Sequence, residues 1–328
     1  MSYQKTKLSI ILPTYNGGYA LEKNLARFVS ECNNKKFKNL IELCVSDNCS
    51  TDNSQKIILK YKKILNKNKY VRINFNKNNR NLGFAKNFMR AIEISNGEYL
   101  MPICDDSLPM KKFYIEIINF LKKNEFDELG YVPVNVTTKF KKKLFNINKL
   151  AYVVNRGSIL SGAIFKKSNF NPKLYRSNIY LHNIFYIDIF LKFGLKQILL
   201  NSQIKIDSGP VQKVKNKFND RAGRKTDYGV LEKIDTVDFF YEKNRLNFFQ
   251  FLFAISTIYS WSIDINILLQ NEGYLQLSKQ YFSETLKYDN KKIIFLSFSI
   301  IILKNLFSGK SFFIIKLFYS LLMNKKII

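Results

Sequence analysis

Cysteine and histidine are scarce in this chain. Its 328 residues include four cysteines (Cys32, Cys44, Cys49 and Cys104), without a Cys-x-x-Cys pair, and a single histidine, His182. A structural zinc site usually takes about four Cys or His ligands, and small secreted folds carry more cysteines for their length. The sequence therefore excludes a usual Cys/His zinc protein and a disulfide framework, and it favours a reduced, cytoplasmic protein.

Long apolar runs are also missing. Leu8–Leu12, the apolar run nearest the N-terminus, is too short for the core of a secretory signal peptide. Leu246–Ile263 is uncharged but interrupted by Asn, Gln and Ser, and Ile293–Leu303 is short. A spanning helix needs about 20 apolar residues. We therefore expect no transmembrane span.

Acidic residues are few: 25 Asp and Glu face 53 Lys and Arg, which gives a formal net charge of +28. Part of this excess reflects a general richness in Lys, Asn, Ile and Phe, and such lysines mostly lie on solvated surfaces. The rest can attract phosphate on a nucleotide, a nucleic acid or an anionic lipid. Because 46% of the residues are hydrophobic, the chain can fill a globular core, which excludes a disordered tail or a coiled coil.

Short strands alternate with amphipathic helices in the first hundred residues. The four predicted strands are Leu8–Leu12, Leu40–Ser46, Tyr70–Phe75 and Tyr99–Cys104. Apolar side chains recur at helical spacing between them, around residues 21–29, 57–65 and 83–92. This alternation predicts a parallel sheet with helices on its faces, and ligands of such sheets bind beyond the carboxyl ends of the strands.

Polar loops follow the first two predicted strands. The first contains Pro13, Thr14, Tyr15 and Asn16, and the second contains Asp47 and Asn48. An aromatic ring and a carboxylate at adjoining strand ends can hold a planar base and accept its ring N–H, which uracil and guanine offer. An ordinary turn, with Ser50, Thr51 or Asp52 capping the next helix, fits the same residues.

Two further loops suit a diphosphate. Residues 79–87 place Arg80, Lys86 and Gly83 around a predicted helix start, which favours phosphate, although the glycine also fits a plain turn. Asp105 and Asp106 follow the fourth strand, and their mutual repulsion is tolerated where a divalent cation lies between them and a diphosphate. The alternative for this pair is an acidic cap on the helix that follows.

In order and spacing, these segments resemble the family 2 glycosyltransferases over about the first 200 residues. The matching segments are Ser9–Asn16, Val45–Asp52, Asn81–Gly83, Asn96–Tyr99 and Asp105–Asp106. The resemblance implies an α/β protein of the GT-A (Rossmann-like) fold: a mostly parallel sheet flanked by helices, with an α-helical C-terminal region.

The implied domain layout follows a change of composition near residue 215. Residues 1–215 would form the GT-A catalytic domain, with a nucleotide-sugar half of about 1–110 and an acceptor half of about 111–215. The basic run Lys213–Arg224 is either a lid that meets the diphosphate or a solvated loop. Residues 216–328 would form the helical C-terminal region, dense in aromatic and aliphatic side chains.

The end of that region mixes apolar blocks with lysines, from Phe307 to Leu322. This composition suits a helix lying in a membrane interface. Burial between subunits of an oligomer is the competing interpretation.

The resemblance implies contacts for individual residues with the nucleotide sugar that serves as donor. By position these are Pro13, Thr14, Tyr15, Asn16, Asp47, Asn48, Asn81, Gly83, Lys86 and Asp105. Asp47 would read the base, and Lys86 or Arg80 would neutralise phosphate.

The acidic pair corresponds to the family's Asp-x-Asp metal motif. Counted from Gly97-Glu98-Tyr99, Cys104 stands where many members carry the first Asp, Asp105 is the middle residue and Asp106 the last. Asp106 is then the direct ligand of Mn²⁺ or Mg²⁺, with Asp105 beside the ribose or the metal. The missing first aspartate leaves the metal geometry open.

An inverting transfer needs a base for the acceptor hydroxyl. Family members often carry a Glu-Asp pair whose Asp lies some eleven residues before a glycine, and counting back from Gly194 gives Asn183, beside His182. An imidazole suits this role, and a histidine that simply packs or caps a helix fits equally. Asp188 is the reserve candidate, on a different face of the predicted helix.

The sequence thus predicts a metal-dependent inverting glycosyltransferase that moves a sugar from a nucleotide sugar to a glycan hydroxyl. The resemblance points to bacterial capsule, lipooligosaccharide or other surface-polysaccharide synthesis, with a glycan or lipid-linked glycan acceptor. The enzyme would lie peripherally at the inner face of the cell membrane and would bind no nucleic acid. Two other classes stay open: a basic nucleic-acid-binding protein, and a catalytically inactive membrane-surface scaffold.

Overall fold

The computed structural model describes six stretches of the chain: residues 6–135, 149–156, 160–175, 181–206, 230–271 and 291–304. The chain divides into two units. The first comprises Met1–Leu144 and Ile159–Lys225, and the second comprises Phe145–Ser158 and Thr226–Ile328.

In its described residues, the first unit has ten strands and five α-helices. The strands are β1 (Leu8–Thr14), β2 (Ile41–Asp47), β3 (Arg72–Lys77), β4 (Tyr99–Pro102), β5 (Ser107–Pro109), β6 (Leu129–Tyr131), β7 (Val134–Asn135), β8 (Ala163–Lys166), β9 (Leu195–Gln197) and β10 (Ile204–Ile206). The helices are α1 (Gly18–Cys32), α2 (Ser54–Asn68), α3 (Gly83–Glu93), α4 (Phe113–Lys123) and α6 (Leu181–Phe193).

Seven of these strands form one sheet in the order β3-β2-β1-β4-β8-β6-β9. Strands β3, β2, β1 and β4 are mutually parallel, β8 runs antiparallel to β4 and β6, and β9 is parallel to β6. This mostly parallel sheet with flanking helices confirms the predicted fold class. The chain passes outward from β1 to β3 and then returns to the other side of β1 at β4. The strand order reverses between β1 and β4, which is where such sheets form ligand crevices.

The first two strands extend further than the sequence indicates. β1 reaches Thr14 and β2 reaches Asp47, and these two residues pair with each other at the carboxyl edge. Strand β4 is shorter than predicted: it ends at Pro102 and not at Cys104, because proline has no N–H to donate to the ladder. Cys104 therefore belongs to the loop that carries the acidic pair.

Strands β1 and β2 are covered on both faces. Every residue of β1 and of β2 is buried, as expected when helices pack on both sides of a sheet. Helix α1 contributes Leu21, Leu25 and Phe28 to the core. Each such side chain stabilises the fold by about 1.5–3 kcal/mol when fully buried.

A glutamate of α1 caps helix α4, which follows the acidic loop. Glu31 Oε1 accepts hydrogen bonds from the backbone N–H groups of Tyr114 and Ile115, and Oε2 accepts one from Lys112. Lys112, the residue before α4, has a left-handed backbone and no capping side chain of its own. Glu31 therefore supplies the acceptors that the start of α4 lacks.

The second unit is helical in its described residues. Its helices are α5 (Lys149–Arg156), α7 (Val230–Glu242), α8 (Phe248–Asn271) and α9 (Lys291–Lys304). Helix α8 packs against the other three. Burial lowers the pKa of Lys233, on α7, to about 7. In the described part of the chain, no helix combines the length and the apolarity needed to cross a membrane.

The structure groups α5 with the C-terminal helices, although its residues fall in the predicted acceptor half. The division at residue 215 into catalytic and C-terminal parts stays a prediction. The boundary itself, the basic run Lys213–Arg224 and the lysine-rich segment Phe307–Leu322 lie outside the described residues.

Candidate active site

The ends of β1 and β4 are joined by a hydrogen bond between two predicted site residues. Thr14 Oγ1 donates to Asp105 Oδ2 at 2.8 Å, and both side chains are buried. Because Thr14 pairs with Asp47 on the other side of β1, residues from three predicted loops meet at one edge of the sheet. Asp106, the next residue, is only half-buried, so a ligand can approach it.

Gly17 lies against the Thr14–Asp105 hydrogen bond. A Cβ atom on Gly17 would come within 2.5 Å of Thr14 Oγ1 and 2.6 Å of Asp105 Oδ2, closer than any real contact. Glycine lets the start of α1 approach the acidic loop. The sequence analysis missed this residue, because a glycine after Pro-Thr-Tyr-Asn suits an ordinary turn equally well.

Two side chains that the sequence analysis also missed hold the acidic loop. Asn24 Nδ2, on α1, donates to the carbonyl oxygens of Cys104 at 3.2 Å and Ser107 at 2.9 Å. Ser161 Oγ accepts from Cys104 N at 2.9 Å and donates to Ser107 Oγ at 2.7 Å. Asn24 carries a signal in the sequence: it is a polar residue between Leu21, Leu25 and their neighbours on the core-facing side of its helix. Ser161 carries no comparable signal.

Asp47 is fully buried at the end of β2, and its two carboxylate oxygens differ. Oδ1 accepts hydrogen bonds from Ser50 N at 3.1 Å and from Ser50 Oγ at 2.5 Å. Oδ2 accepts no hydrogen bond from the described residues. A buried carboxylate oxygen without a donor is costly, so Oδ2 is suited to accept an N–H from a ligand.

The first two loops are also tied to each other. Asn16 N donates to Ser50 Oγ at 2.9 Å, and Thr51 N donates to Asn16 Oδ1 at 2.8 Å. Asp52 Oδ1 accepts from Ser54 N at the start of α2. Of the three predicted capping residues, Asp52 thus contacts the start of α2, in the same loop as the candidate base-binding residue Asp47. Tyr15 is half-buried beside them, and Pro13 lies within β1.

A network of amides shapes the third loop. Asn48 Oδ1 accepts from Leu82 N, Asn48 Nδ2 donates to Asn81 Oδ1, and Asn81 Oδ1 also accepts from Gly83 N. Asn48, Asn81 and Gly83 are therefore bonded to one another within the protein. Gly83 has a φ of 78°, which favours glycine.

The two predicted cations of this segment are exposed at the start of α3. Arg80 and Lys86 both extend into solvent. Asn87, a residue that the sequence analysis did not single out, donates from Nδ2 to the carbonyl oxygens of Thr14 and Ser46. It thus fixes the ends of β1 and β2 relative to α3.

The two candidate bases lie on α6 in different surroundings. The His182 ring is buried, with its centre 5.8 Å from that of Phe84 and 5.6 Å from that of Tyr186. Because Phe84 follows Gly83, this contact brings the start of α6 to the start of α3. Asp188 is also buried, and its Oδ2 lies 2.9 Å from Lys192 Nζ, so this oxygen is engaged within the helix.

The acidic loop offers hard oxygen ligands. Among the described residues, no group of three or more His, Cys, Asp and Glu side chains could hold a metal ion. Mn²⁺ and Mg²⁺ need fewer protein ligands when a diphosphate and water complete their shell. Asp105 and Asp106 fit that requirement, whereas the Cys104 sulfur is a soft ligand that these ions do not prefer.

Comparisons with known proteins agree with the family resemblance found in the sequence. The family model described as "Glycosyl transferase family 2" matches residues 9–191. An uncharacterized glycosyltransferase of Methanocaldococcus jannaschii is 25% identical over 217 residues, which cover 60% of this chain and 72% of that protein. The poly(ribitol-phosphate) beta-N-acetylglucosaminyltransferase TarP of Staphylococcus aureus is 25% identical over 303 residues, 87% of this chain and 81% of its own.

Among solved structures, TarS of S. aureus in complex with UDP-GlcNAc is similar, with a TM-score of 0.56 and 14% identity. The match covers 98% of this chain and 93% of the solved TarS chain, which spans TarS residues 1–349. At this identity the likeness concerns the fold alone, and it agrees with the GT-A architecture expected from the sequence.

Proposed function

The chain belongs to glycosyltransferase family 2, and from this premise we propose that it transfers a sugar from a nucleoside diphosphate sugar to a glycan hydroxyl, with inversion and with Mn²⁺ or Mg²⁺. The observation that carries the proposal is the Thr14–Asp105 hydrogen bond at 2.8 Å. It turns the acidic loop towards the strand ends where Asp47 keeps a buried acceptor oxygen. A base and a diphosphate can therefore be held side by side.

On the donor side, Asp47 Oδ2 accepts the ring N–H of uracil or guanine, while Tyr15 packs against the base. Thr14, Asn16 and Asn48 surround this position at the ends of β1 and β2, and Asn81 and Gly83 shape the loop before α3. Lys86 and Arg80 draw the phosphates towards the start of α3. Asp106, with Asp105 beside it, holds the cation. A cation held by these two residues would supply positive charge to offset the charge that develops on the departing diphosphate.

On the acceptor side, His182 takes the proton of the attacking hydroxyl. The acceptor oxygen forms a bond to the anomeric carbon as the bond from that carbon to the diphosphate oxygen breaks, and the diphosphate leaves with the electron pair. The contact between His182 and Phe84 supports this role, because it places α6 next to the donor-side helix α3. Asp188 is the reserve base, and its bond to Lys192 makes it the weaker candidate.

The acceptor is a surface glycan or its lipid-linked precursor, in bacterial capsule, lipooligosaccharide or related polysaccharide synthesis. The name of TarP, which acts on poly(ribitol-phosphate), supports this class of acceptor. The charge of +28 supports a peripheral position on an anionic membrane at the cytoplasmic face. The C-terminal region would provide that contact or an interface with another subunit.

A thermal-shift panel tests the proposal. Uridine, guanosine, thymidine and cytidine diphosphates are added with and without Mn²⁺ to the wild type, to Asp106→Ala and to the control Asp127→Ala. Asp127 is an exposed aspartate paired with Lys166 outside the acidic loop. We expect one diphosphate to raise the melting temperature of the wild type and the control in the presence of Mn²⁺, and Asp106→Ala to lose that shift.

A flat panel on the wild type, or an unchanged shift in Asp106→Ala, would contradict the proposal. Salt-sensitive binding to RNA or DNA that ignores Asp106→Ala would instead indicate a nucleic-acid-binding protein.

A further inference from the structure

A single buried hydroxyl reaches both ends of the acidic loop. Ser161 Oγ accepts a hydrogen bond from the N–H of Cys104, the residue before Asp105, at 2.9 Å. It donates to the hydroxyl of Ser107, the residue after Asp106, at 2.7 Å. Ser107 Oγ in turn donates to Asp106 Oδ1 at 3.4 Å.

The direction of this chain of hydrogen bonds is fixed by the carboxylate at its end. A backbone N–H can only donate, and an ionised carboxylate can only accept. The proton of Ser161 must therefore point to Ser107, and that of Ser107 to Asp106. Hydrogen bonds arranged head to tail strengthen one another, so the last bond, on the half-buried Asp106 carboxylate, depends on the first.

Ser161 lies in a segment that is fixed on both sides. The preceding carbonyl, of Leu160, accepts a hydrogen bond from the Tyr186 hydroxyl on α6 at 2.9 Å. The following residue, Gly162, donates its N–H to Pro102 O at the end of β4. Tyr186 also contacts the ring of His182. The segment therefore connects the helix of the candidate base with the loop of the candidate cation ligand.

We propose that Ser161 is a positioning residue that orients the Asp106 carboxylate for a divalent cation through Ser107. This inference rests on the proposed function, because it assigns the acidic loop to a cation and a diphosphate. Removing a hydrogen-bond partner of a metal ligand typically weakens metal binding by about 10- to 100-fold. We expect Ser161→Ala to raise the half-saturating Mn²⁺ concentration about tenfold. The loop keeps its shape in this variant, since Asn24 still holds the carbonyl groups of Cys104 and Ser107.

Ser9 offers a matched control at the other edge of the same sheet. Its buried hydroxyl also accepts from a backbone N–H, that of Gly97, at 2.8 Å and donates to an oxygen, Glu42 Oε1, at 2.6 Å. Ser9→Ala therefore removes the same two kinds of hydrogen bond near the amino end of β1, where no predicted site residue lies. Its melting temperature should fall at least as far as that of Ser161→Ala.

The experiment titrates Mn²⁺ into the full-length chain at a fixed concentration of each of the four nucleoside diphosphates and follows the melting temperature. The expected result is a half-saturating Mn²⁺ concentration raised about tenfold in Ser161→Ala and unchanged in Ser9→Ala. Ser107→Ala removes the same relay from its middle and serves if Ser161→Ala does not fold. The double variant should match either single variant, because both act through one chain of hydrogen bonds.

The inference would be overturned if Ser161→Ala and Ser107→Ala had the same half-saturating Mn²⁺ concentration as the wild type. It would also be overturned if Ser9→Ala raised that concentration as much as Ser161→Ala does. In both cases the wild type still responds to Mn²⁺ and a diphosphate, so the proposed function stands. A wild type that responds to no diphosphate would overturn the proposed function and the inference with it.

Discussion

Strand β2 carries a buried carboxylate near each of its ends, and the two differ in the hydrogen bonds that they accept. Near the amino end, Glu42 accepts hydrogen bonds at both oxygens, from Ser9 and the N–H of Asn96 at Oε1 and from Asn74 at Oε2. At the carboxyl end, Asp47 uses one oxygen for Ser50, and its other oxygen accepts nothing from the described residues. Their exposed fractions are almost the same, 1% and 0%.

Burial therefore does not distinguish these two carboxylates; the completeness of their hydrogen bonding does. Both oxygens of Glu42 accept hydrogen bonds, and these bonds join β2 to β1, to β3 and to the turn before β4. Asp47 leaves one position for a donor that the described chain does not provide. The contrast predicts that the two residues respond in opposite ways to the same isosteric change.

Glu42→Gln should have the largest effect, and it should be on stability. The amide keeps one acceptor oxygen and introduces two N–H donors among groups that already donate, so the free energy of unfolding should fall by about 3 kcal/mol. Urea unfolding followed by circular dichroism measures the loss. Nucleoside diphosphate binding by the folded fraction should match the wild type, and a specific loss of binding would remove the distinction between the two carboxylates.

Asp47→Asn should affect binding and leave stability within about 1 kcal/mol of the wild type. Replacing Oδ2 by an amide removes the acceptor for the base N–H, which weakens binding by about 2 kcal/mol or roughly 30-fold. Isothermal titration with the stabilising diphosphate and Mn²⁺ measures this change. Equal binding by Asp47→Asn and the wild type would show that the open oxygen has no ligand.

Glu31→Gln should have the smallest effect, because Glu31 is only partly buried, unlike Glu42 and Asp47. Its oxygens accept from three backbone N–H groups at the start of α4, and glutamine offers them one oxygen. We expect a loss of about 1 kcal/mol at neutral pH, as for the loss of a helix cap. Glu93→Gln is the control: it pairs with Arg90 on the surface and should change stability by less than about 0.5 kcal/mol.

The stability difference between the wild type and Glu31→Gln should also depend on pH. Burial raises the pKa of Glu31 above its ordinary value of 4.5, outweighing the hydrogen bonds that lower it. As the pH falls from neutral, the native state takes up the proton before the unfolded chain does, so the wild type gains stability relative to Glu31→Gln. The gain is complete once the pH is below 4.5. Unfolding curves of both proteins between pH 4 and 7 measure it, and a difference that shrinks on acidification would contradict the direction of the shift.

Local sequence patterns predicted the sheet and the edge at which the site lies. Apolar runs and helical spacing located the first four strands, and the rule that ligands bind at carboxyl ends selected the loops that follow them. The family resemblance then selected Thr14, Asp47 and Asp105. Thr14 and Asp105 are 91 residues apart in the chain and are hydrogen-bonded in the structure. Strand ends were less accurate, because hydrophobicity does not show where a backbone ladder stops.

Ser161, which supports the acidic loop, could not be found in this way. Ser161 is 57 residues from Cys104, and only the antiparallel pairing of β8 with β4 brings it near the acidic loop. The grouping of α5 with the C-terminal helices has the same origin, since it depends on contacts between distant parts of the chain. The roles of His182, Asp188 and the nucleotide-binding residues stay predictions.

The hydrogen bonds between the first two loops have a consequence for engineering donor preference. Asn16, Ser50 and Thr51 join residues 13–16 to residues 47–52, and Gly18 N donates to Ser54 Oγ just beyond. The side chain that would stack on a base and the one that would read its edge are thus parts of one rigid module. A graft that alters selectivity should exchange residues 13–18 and 47–54 together, since replacing either stretch alone would leave its partner's bonding groups mismatched.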